Sequence, residues 1–155
     1  MKRARLAPGF TFLELMVVVL VIGILAAAAI YSLNITRAMN RDAKRTSDVS
    51  VIRAALTQYW LQKASYPQSD PVNLGSSGTG ADRLTGAGFA PSDNATPPIF
   101  LDHVPTAPKA GEYYRYHGSV RGYSLRFATE RQTAYGPAGV WYAHAGGVDT
   151  EDSEK

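Results

Sequence analysis

One carboxylate stands where carboxylates are rare. From Phe10 to Ile30 the chain reads FTFLELMVVVLVIGILAAAAI, a run of 21 residues with one charge, Glu14. In a membrane helix an ionised carboxylate costs roughly 2.5–3.5 kcal/mol. Such a group calls for a cationic partner. The other candidates for chemistry are weaker. His103, His117 and His144 are far apart and lack zinc-ligand spacing. The serines lack a nucleophile-elbow context. The stretch Gly75-Ser76-Ser77-Gly78-Thr79-Gly80 has neither the lysine nor the strand–helix setting of a phosphate-binding loop. There is no cysteine, which rules out disulfides and thiolate sites. The nine tyrosines suit core and subunit contacts better than base stacking. No catalytic residue, metal ligand set or cofactor site is indicated.

The element that carries Glu14 is predicted to be a helix. At 1.5 Å per residue, residues 10–30 would extend about 30 Å, the thickness of a bilayer core. Lys2, Arg3 and Arg5 precede it, which places the N-terminus in the cytoplasm and exports the rest. The formal net charge of +3 comes from these three residues. Without residues 1–9 the chain has 13 basic and 13 acidic side chains, so a nucleic-acid partner is not suggested. A cleaved secretory signal, cut in the Ala26-Ala27-Ala28-Ala29 stretch, and a plain single-span anchor are the simpler explanations. Both leave Glu14 without a purpose.

Gly9-Phe10-Thr11-Phe12-Leu13-Glu14 followed by a long apolar run resembles the class III signal of type IV pilins and type II secretion pseudopilins. The resemblance implies that a membrane prepilin peptidase cuts after Gly9 and methylates the new N-terminal Phe10. The helix is then kept, and Glu14 faces the amine of a neighbouring subunit. A buried charge that finds its opposite becomes an assembly contact, and a mispaired subunit is penalised. Many such chains carry a proline at the position of Tyr31. This chain does not, and Gly23, which weakens a helix by about 1 kcal/mol relative to Ala, is left as the flexible point.

The implied fold is α+β: a long N-terminal helix, membrane half plus amphipathic half, packed on a C-terminal antiparallel sheet of three to four strands. Residues 1–9 are the leader, 10–35 the membrane or filament-core helix, and 36–65 its amphipathic continuation. Val49, Ile52, Leu56 and Tyr59, with Ala55 and Trp60 alongside, make one apolar stripe. Ser65-Tyr66-Pro67 should end the helix. Residues 66–111, rich in Gly and Pro, are expected as a loop pinned by Leu84, Phe89 and Ile99-Phe100-Leu101. Strands are expected within 112–144, where Tyr123, Leu125 and Phe127 alternate with Ser124 and Arg126. Residues 145–155 are expected as a flexible acidic tail. Its Asp149, Glu151 and Asp152 lack the ordered loop with which major pseudopilins bind calcium.

Functionally, the resemblance points first to the structural subunit of a type IV pilus, serving adhesion, motility or DNA uptake. The alternative is a pseudopilin of a type II secretion system, and a non-polymerising anchored binding protein comes third. The implied partners are identical or homologous subunits, the prepilin peptidase, and an inner-membrane platform protein with its assembly ATPase. Membrane lipid surrounds the helix before assembly. The implied location is the inner membrane with the N-terminus inside, then a periplasmic or extracellular filament.

Overall fold

The computed structural model describes residues 9–75, 79–93 and 96–155. Lys2, Arg3, Arg5 and the rest of the expected leader up to Pro8 lie outside the described residues. The chain divides into two compact units, with the boundary between Arg37 and Ala38. Helix α1, Phe12–Lys63, contributes to both.

In the first unit the helix has no packing partner among the described residues. Its apolar side chains, from Phe12 through Leu33, are all exposed, and none of its most apolar window is buried. By length and composition α1 can cross a membrane, with a mean hydropathy of 2.8 in that window.

In the second unit, residues three and four apart turn one face of α1 inward. Val49, Ile52 and Leu56 are fully buried, Ala55 and Tyr59 nearly so. Trp60 departs from the expected stripe. At about 100° per residue it sits some 80° round from Ile52, and it is 44% exposed. The helix ends at Lys63, followed by Ala64 at φ 53°, whose N–H donates to the Trp60 carbonyl at 2.7 Å. This is a left-handed C-terminal cap built without glycine.

The stripe is covered by an antiparallel sheet of five strands. They are β1 (Ser69–Leu74), β5 (Tyr114–Gly118), β6 (Tyr123–Thr129), β7 (Gly139–Ala143) and β8 (Val148–Asp149), in the order β1-β5-β6-β7-β8. Tyr114, Tyr116, Tyr123, Leu125, Phe127, Trp141 and Ala143 point into the core with the helix stripe. The Tyr116 hydroxyl donates to the Pro67 carbonyl at 2.7 Å, over Gly118, where any Cβ would collide with both groups. The Tyr-Pro segment after the helix is thereby fastened to the sheet.

The sheet has more strands than expected because both flanks contribute. β1 comes from the segment expected as loop, and β8 from the segment expected as tail. Residues 83–101 add a second small sheet of β2 (Arg83–Thr85), β3 (Gly88–Ala90) and β4 (Ile99–Leu101), in the order β3-β2-β4. Leu84 is fully buried, and Phe89, Phe100 and Leu101 pack on the core from this flap. Strands of three residues are too short to display a period, and for that reason they were not visible in the pattern.

The acidic terminus is a correction. Residues 145–155 are not a free tail but a strap tied to the sheet. The Ser124 hydroxyl donates to Asp152 Oδ1 at 2.7 Å, and His117 Nε2 lies 2.9 Å from Glu154 Oε1. Lys155 Nζ sits 2.9 Å from Asp149 Oδ2 and also pairs with Glu151. Lys155 first, and the Glu151 amide next, draw the Asp149 carboxyl down to about 2. A cation at the chain end thus neutralises the acids that seemed to repel the segment into solvent.

Candidate functional site

The N-terminus of α1 holds the residues singled out for processing and assembly. Gly9 and Phe10 precede the helix, and the Phe10 side chain is 89% exposed. Thr11 is the N-cap: its carbonyl accepts the first helical bond, from Leu15 N–H at 3.3 Å. Its hydroxyl accepts from Glu14 N–H at 3.2 Å and donates to Glu14 Oε2 at 2.9 Å, while its own N–H donates to the same oxygen at 2.8 Å. Threonine and glutamate three apart therefore form a reciprocal capping box. The sequence carries this signal, Thr-x-x-Glu before an apolar run, and the reading of Glu14 as an isolated charge overlooks it. Glu14 has a local role in starting the helix at Phe12 as well as any role between chains.

The geometry leaves the carboxylate half occupied. Oε2 takes both Thr11 donors, and Oε1 makes no hydrogen bond among the described residues. Gly23 lies inside α1, which runs through it without interruption, and a Cβ there would meet nothing within 4 Å.

A second charged cluster, not anticipated from the sequence, fixes the amphipathic part of α1 to the sheet. Arg45 is 1% exposed. Its guanidinium contacts Asp42 Oδ1 at 2.7 Å, Glu112 through two bonds at 2.7 and 2.8 Å, and Glu130 Oε1 at 2.9 Å. Burial opposes its charge, but the Glu112 and Glu130 hydrogen bonds prevail and hold its pKa above the ordinary arginine value. Arg41 grips Glu130 with two further bonds at 2.6 and 2.7 Å, and Lys109 reaches it at 3.0 Å. Arg41 foremost, with Lys109 and Arg45, keeps the Glu130 carboxyl far below the usual carboxylate range. Asp42 also accepts from the Glu130 and Arg131 amides, capping the turn after β6. One turn along, Tyr114 donates to Asp48 Oδ2 at 2.8 Å, and Lys44 bridges Asp48 to the Thr106 carbonyl. The contacts from α1 to the sheet and its flanking turns join positions 62 to 89 residues apart, a distance no local pattern reveals.

Of the histidines, His103 is exposed, His117 is on the outer sheet face, and His144 is buried between the Tyr123 carbonyl at 2.9 Å and the Asp149 carboxylate at 3.1 Å. Among the described residues, no three His, Asp or Glu side chains are grouped so as to hold a metal ion.

Comparison with known proteins gives two matches. Residues 5–30 match the family described as "Prokaryotic N-terminal methylation motif". Over 70 residues the chain is 37% identical to the type II secretion system core protein G of Vibrio cholerae serotype O1, covering 45% of this chain and 48% of that protein. The chain thus spans about half the length of the curated relative it matches. No solved structure matches. Both findings support the resemblance to pilins and pseudopilins read from Gly9 to Glu14. Between the two filament classes, the similarity favours the pseudopilin alternative over the type IV pilus placed first.

Proposed function

We propose that this chain is a pseudopilin-type subunit of a type II secretion system, polymerising into a filament through the first half of α1. The similarity to core protein G, together with the methylation motif at residues 5–30, carries the assignment. In this account the prepilin peptidase cuts after Gly9 and methylates Phe10, and the trimmed chain waits in the inner membrane with its N-terminus inside. The platform protein and assembly ATPase then draw it into the filament beside identical or homologous copies.

The geometry is suited to that sequence of events. A cut after Gly9 leaves the Thr11 amide and hydroxyl in place, so the capping box survives processing. The new amine, one residue before the cap, adds a cation next to a carboxylate whose Oε1 makes no hydrogen bond among the described residues. Moving the apolar helix from lipid into a bundle gains little hydrophobic free energy, since both surroundings are apolar. Packing and the Glu14–amine pair must supply the specificity. Gly23, inside the apolar run, is the proposed point of helix flexibility during that transfer.

Deleting the gene should trap exported enzymes in the periplasm, and the intact gene should restore their release. Glu14→Ala should be inserted and trimmed yet restore release poorly. Loss of surface fibres with normal enzyme release would instead favour a type IV pilus.

A further inference from the structure

The outer face of the five-stranded sheet holds an arrangement that folding alone does not favour. Arg115 on β5 and Arg126 on β6 are directly opposite each other. Cross-strand partners have Cβ atoms about 4.5–5.5 Å apart, and like charges at such a site are destabilising. Both side chains are exposed, and neither has a carboxylate within ion-pair distance among the described residues. Asn73 and Tyr142 flank them in the same cross-strand row. A small recess of about 100 Å³ lies against both arginines, closed on one side by His117, Ser124 and Asp152. A wider cleft on the other side is bounded by Lys109 and Glu112. Asp152 at one end and Glu112 at the other interrupt the positive strip, so a long polyanion such as a nucleic acid is a poor fit.

Exposed acids of opposite charge lie elsewhere on the same chain. Residues 38–155 contain 12 basic and 12 acidic side chains, so the unit is neutral overall, but its charge is segregated. Residues 113–129 hold Arg115, Arg121 and Arg126 and no acid. Residues 69–102 hold Asp70, Asp82, Asp93 and Asp102 against Arg83 alone. Asp70 and Asp93 are exposed without an ion pair among the described residues, and the side chain of Asp102, though paired with Arg83, is 78% exposed. No ion pair joins the two segments within one copy among the described residues.

From this complementarity we propose that the Arg115–Arg126 face is a head-to-head docking surface that takes the exposed carboxylates of Asp70 and Asp93 from a second copy. The proposal rests on the filament reading, since neighbouring copies then stand side by side at high local concentration. Each contact is weak alone, but repetition along a fibre makes it effective. It also gives a purpose to a charge pair that opposes folding.

The test is a charge swap in the full-length chain, assembled in cells that carry the rest of the machinery, with fibre yield measured over a salt series. Arg115→Glu/Arg126→Glu should lower the yield at least tenfold, because attraction becomes like-charge repulsion. Asp70→Arg/Asp93→Arg should do the same, and the fourfold variant should recover most of the yield. All four substitutions are at exposed positions, and the near-ultraviolet signal of the head checks that it remains folded. Should a reversal disturb folding, Arg115→Gln/Arg126→Gln should still flatten the salt dependence of yield. Wild-type yield from the arginine variants, or no recovery in the fourfold variant, overturns self-docking while leaving the filament intact. A wild-type chain that never forms fibres overturns the filament reading as well.

Discussion

Replacing Arg45 by methionine keeps most of the side-chain volume and removes the cation shared by three carboxylates. The consequences differ by partner. Glu112 loses both of its hydrogen bonds to Arg45, but it is 22% exposed and can take up water. Glu130 retains Arg41 and Lys109. Asp42, 5% exposed at its side chain, retains two backbone amides but loses its counter-charge. Breaking a buried ion pair from one side costs about 3–5 kcal/mol. Two of the three acids here have other support, so about 3 kcal/mol is the appropriate end of that range. Total stabilities are about 5–15 kcal/mol, and at about 4 °C per kcal/mol for a unit of this size the melting temperature should fall by about 12 °C. The assay is thermal unfolding of the full chain in detergent, followed by near-ultraviolet circular dichroism, which reports on Trp141 and the buried tyrosines rather than on the detergent-bound helix. Arg45→Met/Asp42→Asn should lose no more than the single variant, because the acid left without a counter-charge has also been neutralised. A loss below about 1 kcal/mol in the single variant would refute the account, since the network would then behave as an ordinary surface cluster.

Other consequences follow from particular residues. Glu130 is held below its unfolded pKa, so its contribution is full above about pH 4.3 and is lost as pH falls further, when the unfolded chain takes up a proton that the folded chain refuses. Glu130→Gln should therefore lower stability at pH 7 and flatten the acid side of a melting-temperature profile between pH 7 and 3. Ala64→Gly should raise stability by about 0.5–1 kcal/mol in denaturant titrations, because a left-handed cap strains any residue with a Cβ. Arg126→Thr should raise it by about 0.2–1 kcal/mol by relieving the charge opposite Arg115, while weakening fibres if that face docks between copies.

What was legible in the chain followed from periodicity and from one local motif. The stripe Val49-Ile52-Leu56-Tyr59 and the alternation Tyr123-Leu125-Phe127 each repeat often enough to define a face, and together they specify a helix on a sheet. Thr11-x-x-Glu14 is equally local, but the apolar run around Glu14 masks the capping signal behind the charge. The Arg45 cluster could not be read in advance. Its four residues come from α1, the approach to β5 and the turn after β6, and only the folded chain brings them together. The strap at 145–155 was misread because composition counts its acids without showing that Lys155, His117 and Ser124 neutralise or bind them one at a time. Arg115 and Arg126 are visible in the sequence as outward residues, but their opposition depends on the β5–β6 register.

The most direct test of the whole account is intact-mass and N-terminal analysis of the protein taken from cells with an active prepilin peptidase. A chain that begins at Phe10, with one methyl group on its amine and with the apolar helix and Glu14 retained, is the predicted result. A chain that begins after Ala29, or one that still carries residues 1–9, would contradict it.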